Sequence, residues 1–179
     1  RDLAAAPDQA LPEPLLGLML PHAGYRYSGP AAAHGYRLLR GRAVKLVVVL
    51  APSHHLGAPH AAVLDRRAYA TPLGEVTIDR DAARRLIASS PAVVDDLRLF
   101  AREHSLEVQL PFLQRVLPGV PILPVVLGTS SPQLTGELAR ALHQLLGPRN
   151  DVLVLASSDM SHYLPYAECE KVDRRSLDL

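Results

Sequence analysis

The 179-residue chain has one cysteine, Cys169, no tryptophan and two phenylalanines. A lone cysteine excludes an intramolecular disulfide and an all-cysteine zinc site, and a reducing compartment is the simpler expectation. An excess of either charge is missing too: 19 Lys plus Arg face 18 Asp plus Glu, a formal net charge of +1. Nucleic-acid binders carry a basic footprint, so DNA and RNA are not expected partners. Long hydrophobic runs are absent. The longest aliphatic run near the middle, Leu46 to Ala51, has six residues, whereas a membrane-spanning helix needs about 20. Asp8, Pro12, Glu13 and Pro14 interrupt the place where a signal-peptide core would lie. No membrane association and a cytoplasmic location are therefore expected. Neither a dinucleotide fingerprint nor a Walker A loop occurs, so nucleotide cofactors have no support.

What is present fits one α/β domain: 48% of residues are hydrophobic, and the length is that of a single domain. Residues 1–14, rich in Ala, Pro and Asp without a sustained period, read as a flexible leader that need not pack. Residues 15–179 carry the domain. Leu15 to Leu20, Leu46 to Ala51, Ile122 to Leu127 and Asp151 to Ala156 are short apolar runs ending near Pro, Gly or Ser. Apolar runs without alternation are what strands of a parallel sheet show when helices cover both faces. Glu75 to Ile78 adds a further candidate strand. Helices are predicted over Pro30 to Leu39, with Pro30 at the first position, and over Asp81 to Ser89, entered from Asp79 or Arg80. Leu134, Leu138, Leu142 and Leu145 form a helical stripe that ends at Gly147. A second stripe, Leu106 to Leu117, is interrupted by Pro111, which should kink or break it. Alternating strands and helices give the fold class: a mostly parallel central sheet flanked by helices.

Three of the four strand runs discharge into histidine-bearing loops: Pro21-His22-Ala23-Gly24-Tyr25, Pro52-Ser53-His54-His55 and Ser157-Ser158-Asp159-Met160-Ser161-His162. In an open parallel sheet ligands bind outside the carboxyl ends of the strands, so these loops should converge. Imidazoles gathered with a carboxylate suit a divalent metal. Alternation along an extended chain turns only one of His54 and His55 toward such a crevice. Asp159 and His162 would be neighbours if a helix began there, and Asp159 would serve equally as a helix cap. His104 and Glu107, three apart, share a helical face opposite the leucines, which is either solvent or crevice wall. Ser157 and Ser158 raise a serine-hydrolase reading, but no Gly-x-Ser-x-Gly elbow surrounds them.

Taken with Glu103-His104-Ser105-Leu106-Glu107-Val108-Gln109-Leu110-Pro111-Phe112, these loops resemble the Memo family, whose bacterial and archaeal members are named AmmeMemoRadiSam system protein B. The resemblance runs from about Leu18 to Arg175 and takes in the turn from Tyr69 to Gly74. It implies a fold like that of class III extradiol ring-cleaving dioxygenases, non-haem enzymes that open catechol-type rings with O2. By motif, the metal ligands correspond to His22 and His54, with iron (Fe2+) or copper as the metal, and Asp159 and His162 match polar pocket residues. The family's third ligand, a cysteine followed by glycine, falls beyond Leu179; Cys169 is not its counterpart. The chain is thus expected to be cut short at its C-terminus.

Two functions stay open on this reading. In the first, His22 and His54 hold the metal, O2 and a small substrate occupy the crevice, His162 supported by Asp159 moves protons, and His104 and Glu107 line the wall. In the second, the same crevice is a binding module for a phosphorylated or acidic peptide or small molecule, with the histidines and Arg26 as donors. The family's system name also implies a functional link to a radical-SAM protein.

Overall fold

The computed structural model describes residues 2–6 and 15–178. Eight strands are present among them: β1 (Gly17–Leu20), β2 (Leu46–Pro52), β3 (Ala61–Val63), β4 (Ala68–Thr71), β5 (Gly74–Thr77), β6 (Val93–Asp95), β7 (Ile122–Leu127) and β8 (Val152–Ser157). Six of them form the central sheet, in the order β1-β8-β2-β7-β3-β6. It is parallel throughout except where β3 runs against β7. The four strands expected from apolar runs are four neighbours in this sheet, β1, β8, β2 and β7. The predicted strand at Glu75 exists as β5, but it pairs only with β4, in a separate two-stranded hairpin.

Helices cover both faces: α1 (Asp2–Ala5), α2 (Tyr25–Arg37), α3 (Arg80–Ser89), α4 (His104–Glu107), α5 (Leu110–Val116), α6 (Pro132–Leu146) and α7 (Tyr166–Leu177). The unbroken apolar runs follow directly from this layering. Along β2, Val47 and Val49 join the core under α2, α4 and α5, whereas Leu46 and Val48 join the one under α3 and α6. In β8, Leu153 and Leu155 face the first layer, and Val152 and Val154 the second. Successive strand residues point to opposite faces, and here each face needs an apolar one.

Local chemistry sets most helix ends. Asp79 caps α3 by accepting from the Ala82 N–H at 2.9 Å, and Ser131 caps α6, which ends at Gly147 with φ 53°. The second leucine stripe is split into α4 and α5, with Pro111 in the first turn of α5, where a missing N–H costs nothing. Pro30 departs from expectation. α2 starts at Tyr25, after Gly24, so Pro30 lies inside the helix instead of opening it. There it removes a single backbone bond, which the packing of Ala32, Ala33 and Tyr36 outweighs. Gly35 lets α2 sit close on β1, because a Cβ there would come within 2.2 Å of the Leu20 side chain. In the stretch expected as a leader, α1 packs against α2 and the Arg37 guanidinium donates to the Leu3 carbonyl at 2.7 Å. Residues 7–14 of that stretch lie outside the described residues.

Candidate functional site

β1, β2 and β8 are adjacent and parallel, so the loops that follow them leave the same edge of the sheet. His22 and His54 meet there with ring centres 5.1 Å apart, edge to face. Two imidazoles sharing an ion at about 2.1 Å hold their ring centres roughly 5 Å apart, so this spacing suits a common ligand. His104, at the start of α4, joins them: its ring lies 5.1 Å from His54 and 6.0 Å from His22. The leucine side of the α4–α5 segment is buried, whereas His104 is exposed beside His54 and is not among the described residues that line the cavity, so the expected wall role is not what its position gives.

Glu103 organises the His54 side. It is 3% exposed, and its carboxylate accepts from the His54 backbone N–H at 2.5 Å, from the Ser105 N–H at 2.9 Å and from His54 Nδ1 at 2.9 Å. Burial pushes its pKa up, but the hydrogen bonds from His54 and Ser105 outweigh burial and bring it down to about 2. An ionised carboxylate only accepts, so the His54 Nδ1 carries a proton toward Glu103 and Nε2 points away from it. Donor atoms of His54, Glu103 and His104 all lie within 4.8 Å of one another. The Glu103 oxygens already serve two backbone amides and the His54 ring, which leaves the outward imidazole nitrogens as the less committed donor atoms of this group.

His22 is 4% exposed, and its surroundings differ. Nδ1 lies 2.9 Å from the Ser157 hydroxyl, which also accepts from Gln109 Nε2 at 2.8 Å and donates to the Ser105 carbonyl at 2.6 Å. Asp159 accepts from the backbone N–H groups of His22 and Ala23 at 2.5 and 2.8 Å, pinning the loop, while its second oxygen stands 3.8 Å from His22 Nε2. Burial lowers the His22 pKa; Asp159 opposes this, and His54 and His104 reinforce it. His22 is therefore neutral at pH 7, as a metal-binding imidazole must be.

The cavity in front of these groups has a volume of about 580 Å³. Leu50, Leu127 and Met160 supply apolar wall, and Ser53, Thr129, Ser130, Ser158 and His162 supply polar groups. No lysine or arginine is among its described lining residues. His162 reaches the cavity on an exposed loop that is tied down by the Ser161 N–H donating to Asp173 at 2.9 Å. Met160 and Tyr163, at φ 60° and 62°, hold that loop in the left-handed region on both sides of His162. No helix begins at Asp159, since α7 starts only at Tyr166. Asp159 does accept backbone N–H groups, as a cap would, but they belong to the β1 loop. The His162 ring nitrogen instead lies 3.1 Å from the Met160 carbonyl.

Of the residues singled out in the sequence, His22, His54 and His104 come together, and Asp159 and His162 line the same cavity. Glu107 is exposed and faces Tyr25 and Tyr69 electrostatically, while Glu103 holds the place next to the histidines. Arg26 is exposed on the first turn of α2 and is not part of the lining. Sequence reasoning missed Glu103, Ser157 and Gln109 as supports. A signal existed: Ser105 and Gln109 are polar residues next to leucines of a core-facing stripe, which predicts a buried polar network.

Residues 7–179 match the family described as Memo-like protein. A MEMO1 family protein of Caldivirga maquilingensis is 38% identical over 168 residues, covering 92% of this chain and 59% of the relative. One from Methanopyrus kandleri is 40% identical over 169 residues, with 92% and 59% covered. Another, from Thermotoga petrophila, is 41% identical over 150 residues, with 83% and 54% covered. The chain thus spans less than two thirds of the length of these relatives. Matched over all but its first six residues, and at this identity to relatives bearing the name, the chain belongs to the Memo-like family.

Proposed function

We propose that the cavity is a non-haem metal pocket of a dioxygenase-like redox protein acting on a small substrate, with His22 and His54 as ligands of iron or copper. The observation that carries this reading is the meeting of two neutral-capable imidazoles, 5.1 Å apart, each backed at Nδ1 by a buried polar partner. A bound iron or copper ion would supply redox chemistry with O2. Glu103 and Ser157 orient the two rings, and Asp159 fixes the backbone of His22. His162, which lines the cavity on an exposed loop, would exchange protons between a bound molecule and solvent. Leu50, Leu127 and Met160 offer apolar contact to an organic substrate.

Charge favours this reading over recognition of a phosphorylated or acidic ligand. Anion recognition draws on arginine and lysine, and the described lining supplies carboxylate and imidazole instead. The test is metal content after anaerobic purification and reconstitution with Fe(II) or Cu(II), followed by O2 uptake with catechol-type compounds. His22→Ala and His54→Ala should each abolish stoichiometric metal. His162→Ala should keep the metal and lose about 100-fold or more of any O2 uptake. Metal content unchanged in both ligand variants would overturn the proposal.

A further inference from the structure

The hydrogen bonds behind His22 fix a proton on its Nδ1, and at Nε2 the Asp159 oxygen, 3.8 Å away, is beyond hydrogen-bonding distance. Gln109, 1% exposed, directs Nε2 at two oxygens, Pro21 O at 3.1 Å and Ser157 Oγ at 2.8 Å. A carbonyl can only accept, so the amide nitrogen must lie on the Pro21 side, and Gln109 Oε1 must face Tyr36. The fully buried Tyr36 hydroxyl donates to that oxygen. Ser157 therefore receives one N–H from Gln109 and has no acceptor there for its own proton. That proton goes to the Ser105 carbonyl, 2.6 Å away, because two oxygens at that distance need a proton between them. The remaining lone pair of Ser157 faces His22 Nδ1 at 2.9 Å and has to be met by an N–H. No buried side-chain nitrogen or oxygen among the described residues lacks a hydrogen-bond partner.

We infer that Ser157, held by Gln109 and the Ser105 carbonyl, is a positioning residue that locks His22 as the Nδ1–H tautomer, so that its Nε2 lone pair is presented to the cavity before any ligand binds. Tyr36 fixes the amide of Gln109 and so completes the chain. Its value to the site rests on the proposed role of His22 as a ligand; the tautomer itself does not. Free histidine favours the opposite form, with the proton on Nε2, so the network makes a choice that the imidazole alone would not. A ring set in this way loses no proton-transfer step when it takes up a cation, and a partner at the far nitrogen commonly accounts for 10- to 100-fold in metal affinity.

The experiment is a long-range 1H–15N correlation spectrum of the 15N-labelled, metal-free protein near pH 8, with the His22 signals identified by their loss in His22→Asn. The expected spectrum has Nδ1 in the pyrrole-like range and Nε2 in the pyridine-like range. A pyrrole-like Nε2, or a mixture like that of free histidine, overturns the inference. Ser157→Ala should move His22 toward the Nε2–H form and weaken Zn(II) binding about 10- to 100-fold. If a folded Ser157→Ala keeps pure Nδ1–H, the assignment to Ser157 is wrong. Titrating Zn(II) separates this inference from the metal reading. A locked tautomer whose Nε2 signal ignores Zn(II) refutes the ligand role of His22 and leaves the network standing.

Discussion

His22 and His54 face one cavity but are supported by opposite chemistry. His22 is almost wholly buried, and a neutral relay of hydroxyl and amide groups stands behind it. His54 has a side chain 38% exposed, and an ionised carboxylate stands behind it. The difference teaches where this fold tolerates a buried charge. Glu103 stays ionised because the backbone of His54 and Ser105 donates to it, replacing the water it has lost. Behind His22 the polar slots are already filled by Ser105, Gln109 and Tyr36, so a carboxylate there would be desolvated without compensation. Asp159, whose second oxygen stands 3.8 Å from the His22 ring, has its other oxygen committed to two backbone amides.

The charged support should be the easier one to break. Glu103→Ala leaves the His54 and Ser105 amides without their acceptor, and a loss of about 2 to 4 kcal/mol in urea unfolding at pH 7 is expected. Acid sharpens the contrast. Because the folded pKa of Glu103 is about 2 against an ordinary 4.5, its contribution is complete above pH 4.5 and is lost as pH falls toward 2. That contribution is on the order of 3 kcal/mol, and Glu103→Gln should remove this part of the pH dependence. The neutral side has its own window. The lowered pKa of His22 means that the unfolded chain binds the proton first, so stability declines as pH drops below 6.5 and does so in Glu103→Gln as well.

Tyr36→Phe tests the far end of the neutral relay. It should cost about 1 to 2 kcal/mol by leaving Gln109 Oε1 without a donor, again read by urea unfolding. Asp159→Asn keeps an oxygen for the His22 and Ala23 amides, so a loss under about 1 kcal/mol is expected, with slow hydrogen exchange retained at both amides. His162→Ala, on the exposed rim and outside both supports, should change stability by no more than about 0.5 kcal/mol. A larger loss would show that the rim loop is part of one of them.

Much of the architecture was legible because β2, β7 and β8 bury both faces, which writes itself into the chain as unbroken runs such as Leu46 to Ala51 and Ile122 to Leu127. The short strands β3 and β6 were not legible. Each has three residues, and β3 takes its direction from pairing with β7, which no local pattern encodes. Asp79 and Gly147 marked helix ends through local bonding, whereas Pro30 misled because packing behind α2 overrode its preference for a first turn. At the site, residues following strands could be placed together by topology alone. Helical spacing singled out Glu107 beside His104, but the helix there is only four residues long and burial puts Glu103 next to the histidines instead.

The amino-acid sequence by itself determined the α/β class and the three histidine loops, because apolar periodicity and the residues after each strand are local properties. Which groups stand behind those histidines was decided by tertiary structure alone. Ser157, Gln109 and Tyr36 come from β8, α5's threshold and α2, and only the packing of those elements brings a hydroxyl, an amide and a phenol into one chain of hydrogen bonds.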